Sequence, residues 1–234
     1  MRMNIIDLHT HLLPYMDDGA KDLEESKRLI EQLFIQGVSG AACTSHFYPL
    51  EEQMEHFVER RDSAMSLLKE RKIVLYAASE TYLHACLLYY DTLKPLCIEN
   101  TCYLLFELPF SKRWGKEVFD LIEKLMQHFE IIPIIAHVER YPASTIGNVR
   151  KLKKLGCIIQ INSSSLFQKE YKRKCIWFMK KELIDILGSD CHDSKTRPPK
   201  LSMAFEVLEN KFGLLYCYQL VQNSHKVPKG INIT

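Results

Sequence analysis

Five of the nine histidines stand at the ends of short apolar runs. His9 and His11 close the run over 5–11, His46 the run over 41–46, and His137 the run over 131–137. Asp190 and His192 close the run over 186–192, and two more runs end on carboxylates, Glu80 and Glu107. Imidazoles and carboxylates gathered in one place form a site for hard or borderline divalent ions. A period of two along a strand puts His9 and His11 on one face, as two ligands of one ion require. Asp190 and His192 repeat that spacing. Asp17-Asp18-Gly19 is ordinary turn chemistry by itself, but it directly follows the histidine pair, so one of its carboxylates can reach the same ring. A carboxylate bridges two ions through its two oxygens, which an imidazole cannot. Asp18, Glu80, Glu107 and Asp190 therefore argue for more than one ion. Arg140 and Arg197 each sit just past a ligand candidate. A guanidinium fork suits bidentate capture of phosphate. Taken singly, each of these residues reads equally well as a surface ion pair or a satisfied histidine. Together they favour a phosphoester substrate.

Such a ring needs elements that bring distant strand ends to one place. The pattern alternates: strand 5–11, then a helix over 23–36 with Asp22 as N-cap and Gly37 as its stop. Strand 41–46 precedes a long polar helix expected over 50–71. Strands ending at Glu80 and Glu107, a helix over 115–129 and the strand ending at His137 follow. The rest reads as a helix over 146–155, a strand over 157–162, a basic helix, a strand over 184–189 and a helical region over 199–223. Seven β–α units with Val/Ile/Leu-rich strands point to an α/β fold with a closed parallel sheet. The expectation is a distorted (β/α)7 TIM-like barrel, whose strand ends form one ring.

The chain has 234 residues and a formal net charge of +2, without the basic stripe of a nucleic-acid binder. With 47% hydrophobic and 26% charged residues it reads as one soluble globular domain over 1–234. Its eight cysteines include no C-x-x-C pair, no signal segment is seen at residues 1–4, and no apolar run approaches the ~20 residues of a membrane span. The expected setting is cytoplasmic, with free thiols and no integral membrane segment.

The segments 7–11, 17–19, 44–46, 79–80, 106–107, 136–141 and 189–199, in this order and spacing, resemble the polymerase and histidinol phosphatase (PHP) family of metal-dependent phosphoesterases. Within it the similarity is to bacterial tyrosine-protein phosphatases of capsule and exopolysaccharide synthesis. The resemblance implies the PHP fold, a distorted seven-stranded barrel, and nine metal ligands: His9, His11, Asp18, His46, Glu80, Glu107, His137, Asp190 and His192. It further implies about three divalent ions, manganese first, with iron, magnesium or zinc as alternatives. Arg140 and Arg197 would grip the phosphate. The implied partner is a phosphotyrosine protein, a bacterial tyrosine kinase with a tyrosine-rich tail.

Three rival readings stay open at this point. Cys191 to Arg197 matches C-x5-R, the spacing of cysteine-dependent tyrosine phosphatases, although the loop lacks the glycine such phosphate cradles use. A histidinol-phosphate phosphatase, or another small-molecule phosphoesterase, would share the ligand set. A non-enzymatic scaffold would keep the metal ring and bind partners instead. In that reading the basic helix around 169–181 docks acidic or phosphorylated tails or an anionic membrane surface; the plainer reading is a solvated amphipathic helix covering the barrel.

Overall fold

Apolar runs rich in Ile, Leu and Val, separated by amphipathic helices, form strands buried on both faces. The computed structural model describes residues 4–68 and 71–233. Among the described residues there are nine strands: β1 (Ile5–Thr10), β2 (Val38–Cys43), β3 (His46–Phe47), β4 (Val74–Ala77), β5 (Glu80–Tyr82), β6 (Tyr103–Glu107), β7 (Ile132–Ile135), β8 (Ile158–Asn162) and β9 (Ile186–Gly188). Every pairing between them is parallel, in the orders β1-β2-β4 and β3-β5-β6-β7-β8-β9. The result is an α/β fold with a curled parallel sheet, a half-barrel with helices around it. An isolated parallel bridge joins Thr10 to Cys191, beyond β9, and the His11 N–H donates to the Cys191 carbonyl at 2.9 Å.

The helices are α1 (Leu23–Ile35), α2 (Met54–Ser66), α3 (Lys116–Phe129), α4 (Ile146–Leu155), α5 (Lys169–Lys180), α6 (Leu201–Phe212) and α7 (Leu214–Lys226). Asp22 caps α1 by accepting the Glu25 N–H at 2.8 Å, and Thr145 caps α4 through Asn148 N–H. Two expectations change. The helix expected over 50–71 starts only at Met54, because 49–52 are taken up by a turn, and residues 69–70 lie outside the described residues, as do the domain limits 1 and 234. The helical region over 199–223 is two helices, divided where Gly213 takes a positive φ of 85°.

Two expected strands are also interrupted. Thr44-Ser45 separates β2 from β3, and Ala78-Ser79 separates β4 from β5. Thr44 turns its N–H to the Thr10 carbonyl, while its hydroxyl accepts the Thr10 N–H. The β1–β2 register slips between Asp7 and Thr10, three residues advancing against two. Such a bulge re-aims the side chains that follow it. Ile6 and Leu8 belong to the same buried cluster as Leu105, Ile134, Ile158 and Ile186, while His9, within the slip, and His11, beyond it, face the polar ring. The outer strand faces pack on the helices through a larger cluster that includes Leu29, Phe106, Ile135 and Phe178.

Candidate metal centre

Because all strands run one way, the ligand candidates emerge at one edge of the sheet, where active sites of such folds lie. The imidazoles of His9 and His11 are fully buried, with their Nε2 atoms 3.3 Å apart. Glu80, which opens β5, sets Oε2 at 3.2 Å from both Nε2 atoms and from His46 Nδ1. Its Oε1 lies 2.9 Å from His137 Nε2. The two oxygens of one carboxylate thus address histidines on two sides. Asp190 Oδ1 lies 3.4 Å from Nε2 of His9 and of His11. Asp18 Oδ1 lies 3.2 Å from His192 Nε2 and 3.5 Å from His46 Nε2. Three groups have ligand atoms close enough to share an ion: His11/Asp18/His46/His192, His9/His11/Asp190 and His9/Glu80/His137. Glu107 joins none of them; its Oε1 stands 3.8 Å from His137 Nε2, at the margin of the ring.

The protein atoms alone leave this ring unbalanced, and the imbalance fits cations. Imidazole nitrogens that face one another cannot all carry protons or all accept them. His137 Nδ1 is buried without a hydrogen-bond partner among the described residues, and His46 Nδ1 and His192 Nε2 each face a carboxylate oxygen at 3.2 Å without the geometry of a hydrogen bond. Among protein charges only, burial would raise Glu80 and Asp190, but the surrounding histidines outweigh it and hold both carboxyls well below their ordinary range. Burial lowers His46 to about 4, so its ring stays neutral and able to ligate. Glu107 is pushed up to about 7, by burial first and then by the charge of Glu80.

Around the ring stands a layer that reading the sequence missed. His11 Nδ1 donates to Asp17 Oδ2 at 2.8 Å, which leaves Nε2 free for the centre. His9 Nδ1 faces Gln160 Oε1 at 3.3 Å, and the same oxygen accepts the His137 N–H at 2.6 Å. Gln160 Nε2 donates to Asn162 Oδ1, and Asn162 Nδ2 donates to Asp190 Oδ2 at 2.6 Å. Partners of this kind fix the tautomer and aim of metal-binding groups. Asp17 was signalled by the Asp17-Asp18-Gly19 turn, and Gln160 and Asn162 only as two polar side chains at alternate positions of an otherwise apolar strand. Gly188 belongs to the same arrangement, since a Cβ there would lie 2.7 Å from Gln160 Nε2 and 2.9 Å from His9 Cβ. His137 and Asp190 both take positive φ, 30° and 52°, conformations that cost non-glycine residues about 1–3 kcal/mol each.

The two arginines meet at Asp190. Arg140 Nη1 reaches Oδ2 at 3.2 Å, and Arg197 Nη2 lies 3.3 Å from both carboxylate oxygens. Arg197 Nη1 also reaches Asp18 at 3.4 Å, and Arg140 lies over the Phe110 ring. A cavity of about 370 Å³ opens beside them, lined by Arg140, Arg197, Asp190, Tyr171 and Lys200. Cys191 is on the wrong side of this geometry. It is fully buried, and desolvation pushes its thiol up to about 12, so the C-x5-R spacing does not yield an accessible thiolate.

A curled parallel α/β sheet with a histidine–carboxylate ring at its carboxyl-terminal edge defines a class of α/β proteins built around a candidate metal centre, and the PHP resemblance is consistent with it. Residues 5–228 match the family described as "Capsular polysaccharide synthesis, CpsB/CapC", and the chain belongs to that family. It is 30% identical to tyrosine-protein phosphatase CpsB of Streptococcus agalactiae serotype V, over 96% of this chain and 98% of that one. Its identity to tyrosine-protein phosphatase YwqE of Bacillus subtilis is 31%, over 94% and 90% of the two chains. Among solved structures, one from the work on YwqE of Bacillus subtilis and CpsB of Streptococcus pneumoniae, described as "unique metal-dependent tyrosine phosphatases", superposes with a TM-score of 0.85. That match has 27% identity and covers 98% of this chain and 96% of the other.

Proposed function

We propose that this chain is a metal-dependent protein-tyrosine phosphatase of capsule or exopolysaccharide synthesis, working at the His/Asp/Glu ring. One observation carries the reading: Asp190 faces the ring with Oδ1 and Arg140 with Oδ2, while Arg197 spans both oxygens, so ligand ring and anion clamp share one residue. The named relatives support the same activity.

His9, His11, Asp18, His46, Glu80, His137, Asp190 and His192 would hold divalent ions, with Glu107 at the margin. An imidazole nitrogen has one lone pair, so each shared histidine could serve only one ion, whereas a carboxylate with two oxygens could serve two. About three ions, manganese first, is the count we favour for these groups. Bound there, divalent cations lower the pKa of water toward ~7 and neutralise charge on a phosphoryl group. Arg140 and Arg197 orient the non-bridging phosphate oxygens with their forks. Asn162 and Gln160 keep Asp190 and His9 aimed at the centre. A tyrosine leaving group has a pKa of ~10 and departs with less protonation than a serine alkoxide would need.

The finer readings belong to the same proposal. The bridge between Thr10 and Cys191 supports closure of the sheet, and counting β2 with β3 and β4 with β5 across their two-residue breaks gives a distorted (β/α)7 barrel in one domain over 1–234. The substrate is a phosphotyrosine protein, in our reading the tail of a bacterial tyrosine kinase. Eight free cysteines, six of them buried, suit a reducing, cytoplasmic setting; among the described residues no helix is long and apolar enough to cross a membrane. The test is phosphate release from a phosphotyrosine peptide and from histidinol phosphate, each with manganese or with EDTA. Manganese-dependent release from the peptide is expected. A preference for histidinol phosphate would keep the site and replace the substrate, and metal binding without turnover of either would favour the scaffold.

A further inference from the structure

The basic helix α5 is not used by the chemistry above, yet it borders the cavity in which that chemistry is placed. Gln168 and Tyr171, at its start, line the cavity beside Arg140. On its other side runs a groove of about 780 Å³, with Pro142 and Thr145 on one wall and Lys169, Arg173, Trp177 and Lys180 on the other. Both walls therefore lead back to the clamp, one through the segment after Arg140 and one through the start of α5. Lys174 pins the walls together by donating to the Tyr141 carbonyl at 2.6 Å. The groove contains four cationic side chains and one carboxylate, Glu170. No ion pair neutralises Lys169, Arg173 or Lys180 among the described residues, whereas several other surface cations are paired, such as Lys27 with Glu24. Trp177 is 50% exposed on the same wall.

We propose that this groove docks the acidic residues that flank the phosphotyrosine of the substrate peptide. The proposal rests on the phosphatase reading and extends it from one residue to a segment. From Tyr171 to Trp177 and Lys180 the helix rises about 9–14 Å. An extended peptide covers that distance in about three or four residues. Asp or Glu at those positions would meet Arg173 and Lys180, with the peptide backbone lying over the Trp177 ring. A membrane fits less well, because these cations line a groove walled by the segment after Arg140 rather than a flat face.

The test compares the full chain with an R173E/K180E double variant, both with saturating manganese. Three substrates are used: p-nitrophenyl phosphate, a phosphotyrosine peptide with Asp and Glu three and four residues from the phosphotyrosine, and the same peptide with Asn and Gln there. The expected result is a KM for the acidic peptide roughly tenfold below that of the neutral one, weakened by salt and lost in the variant. Turnover of p-nitrophenyl phosphate, too small to reach α5, stays unchanged in the variant and shows that it is folded. Equal KM values for both peptides in the native chain would overturn the docking surface while leaving the phosphatase reading intact. So would phosphatidylglycerol vesicle binding that the variant loses while its peptide KM values stay native. If p-nitrophenyl phosphate is not turned over at all, the phosphatase reading fails instead. Anisotropy of the labelled acidic peptide against native chain and variant then still decides whether the groove binds it.

Discussion

Asp17 Oδ2 accepts two hydrogen bonds at once, from His11 Nδ1 at 2.8 Å and from the backbone N–H of His46 at 2.9 Å. One buried carboxylate thereby orients a ligand of β1 and the start of β3. Burial would lower the His11 imidazole, but the charge of Asp17 and its hydrogen bond outweigh that and hold it well above its ordinary value. Asp17 needs the tight approach of Gly19, where a Cβ would lie 2.2 Å from the His11 carbonyl oxygen.

Removing Asp17 should therefore weaken the centre without removing a ligand. Asp17→Ala is expected to raise the manganese concentration for half-maximal activity by about 10–100-fold, with most of kcat recovered at saturating metal. Titration of activity against manganese checks this; an unchanged midpoint would show that Asp17 is only a loop residue.

His11 and Asp190 each serve more than one candidate ion group or the anion clamp. His11→Ala and Asp190→Ala should abolish phosphate release while circular dichroism stays native, since neither side chain belongs to a hydrophobic cluster. Activity within tenfold of the native chain in either folded variant would remove that residue from the centre.

Cys191 offers the opposite expectation. Its thiol is buried and held protonated, so Cys191→Ser should keep kcat within about threefold and cost about 1 kcal/mol of stability. An inactive, folded Cys191→Ser protein would revive the cysteine mechanism.

Glu25 ties α1 to the segment that carries Arg197, accepting the Ser194 N–H at 2.5 Å and pairing with Arg28. Burial raises the Glu25 carboxyl, but those bonds prevail and hold it at about 2, below its ordinary 4.5. A folded-state pKa that is depressed stabilises above the unfolded value, and the gain is lost as pH falls from 4.5 toward 2. Screening of the exposed Arg28 leaves about 1–2 kcal/mol at neutral pH. Glu25→Gln should lower the neutral-pH stability by that amount and converge with the native chain near pH 2, in urea unfolding followed against pH. It should also raise KM through the loosened Arg197, with kcat little changed.

The residues that form the ring were legible because each ends an apolar run, and burial of a strand in a parallel sheet writes itself as an uninterrupted run of Ile, Leu and Val. His9, His11, His46, Glu80, His137, Asp190 and His192 meet as that pattern implied, and Asp18 reaches them from its turn. Helix ends were legible where a cap is local, as at Asp22 and Gly37. Other features depend on partners far away in the chain. Glu107 has the same strand-end pattern as Glu80, yet it stands at the margin, because the β5–β6 register pairs Glu80 with Leu105 and sets Glu107 two residues further along, opposite Tyr82.

Composition and periodicity thus specified an α/β chain with a metal-binding edge, since both follow from which side chains can be buried and at what spacing. Curling of the sheet settled the rest. It set Gln160 beside His9, 151 positions earlier, and Ser189 N–H against Asp7, 182 positions earlier. It also turned the two oxygens of Asp190 toward different partners, and it sealed Cys191 away from solvent. Hydrogen bonds and desolvation act through space, so a group's role is decided by the neighbours that closure of the sheet brings to it.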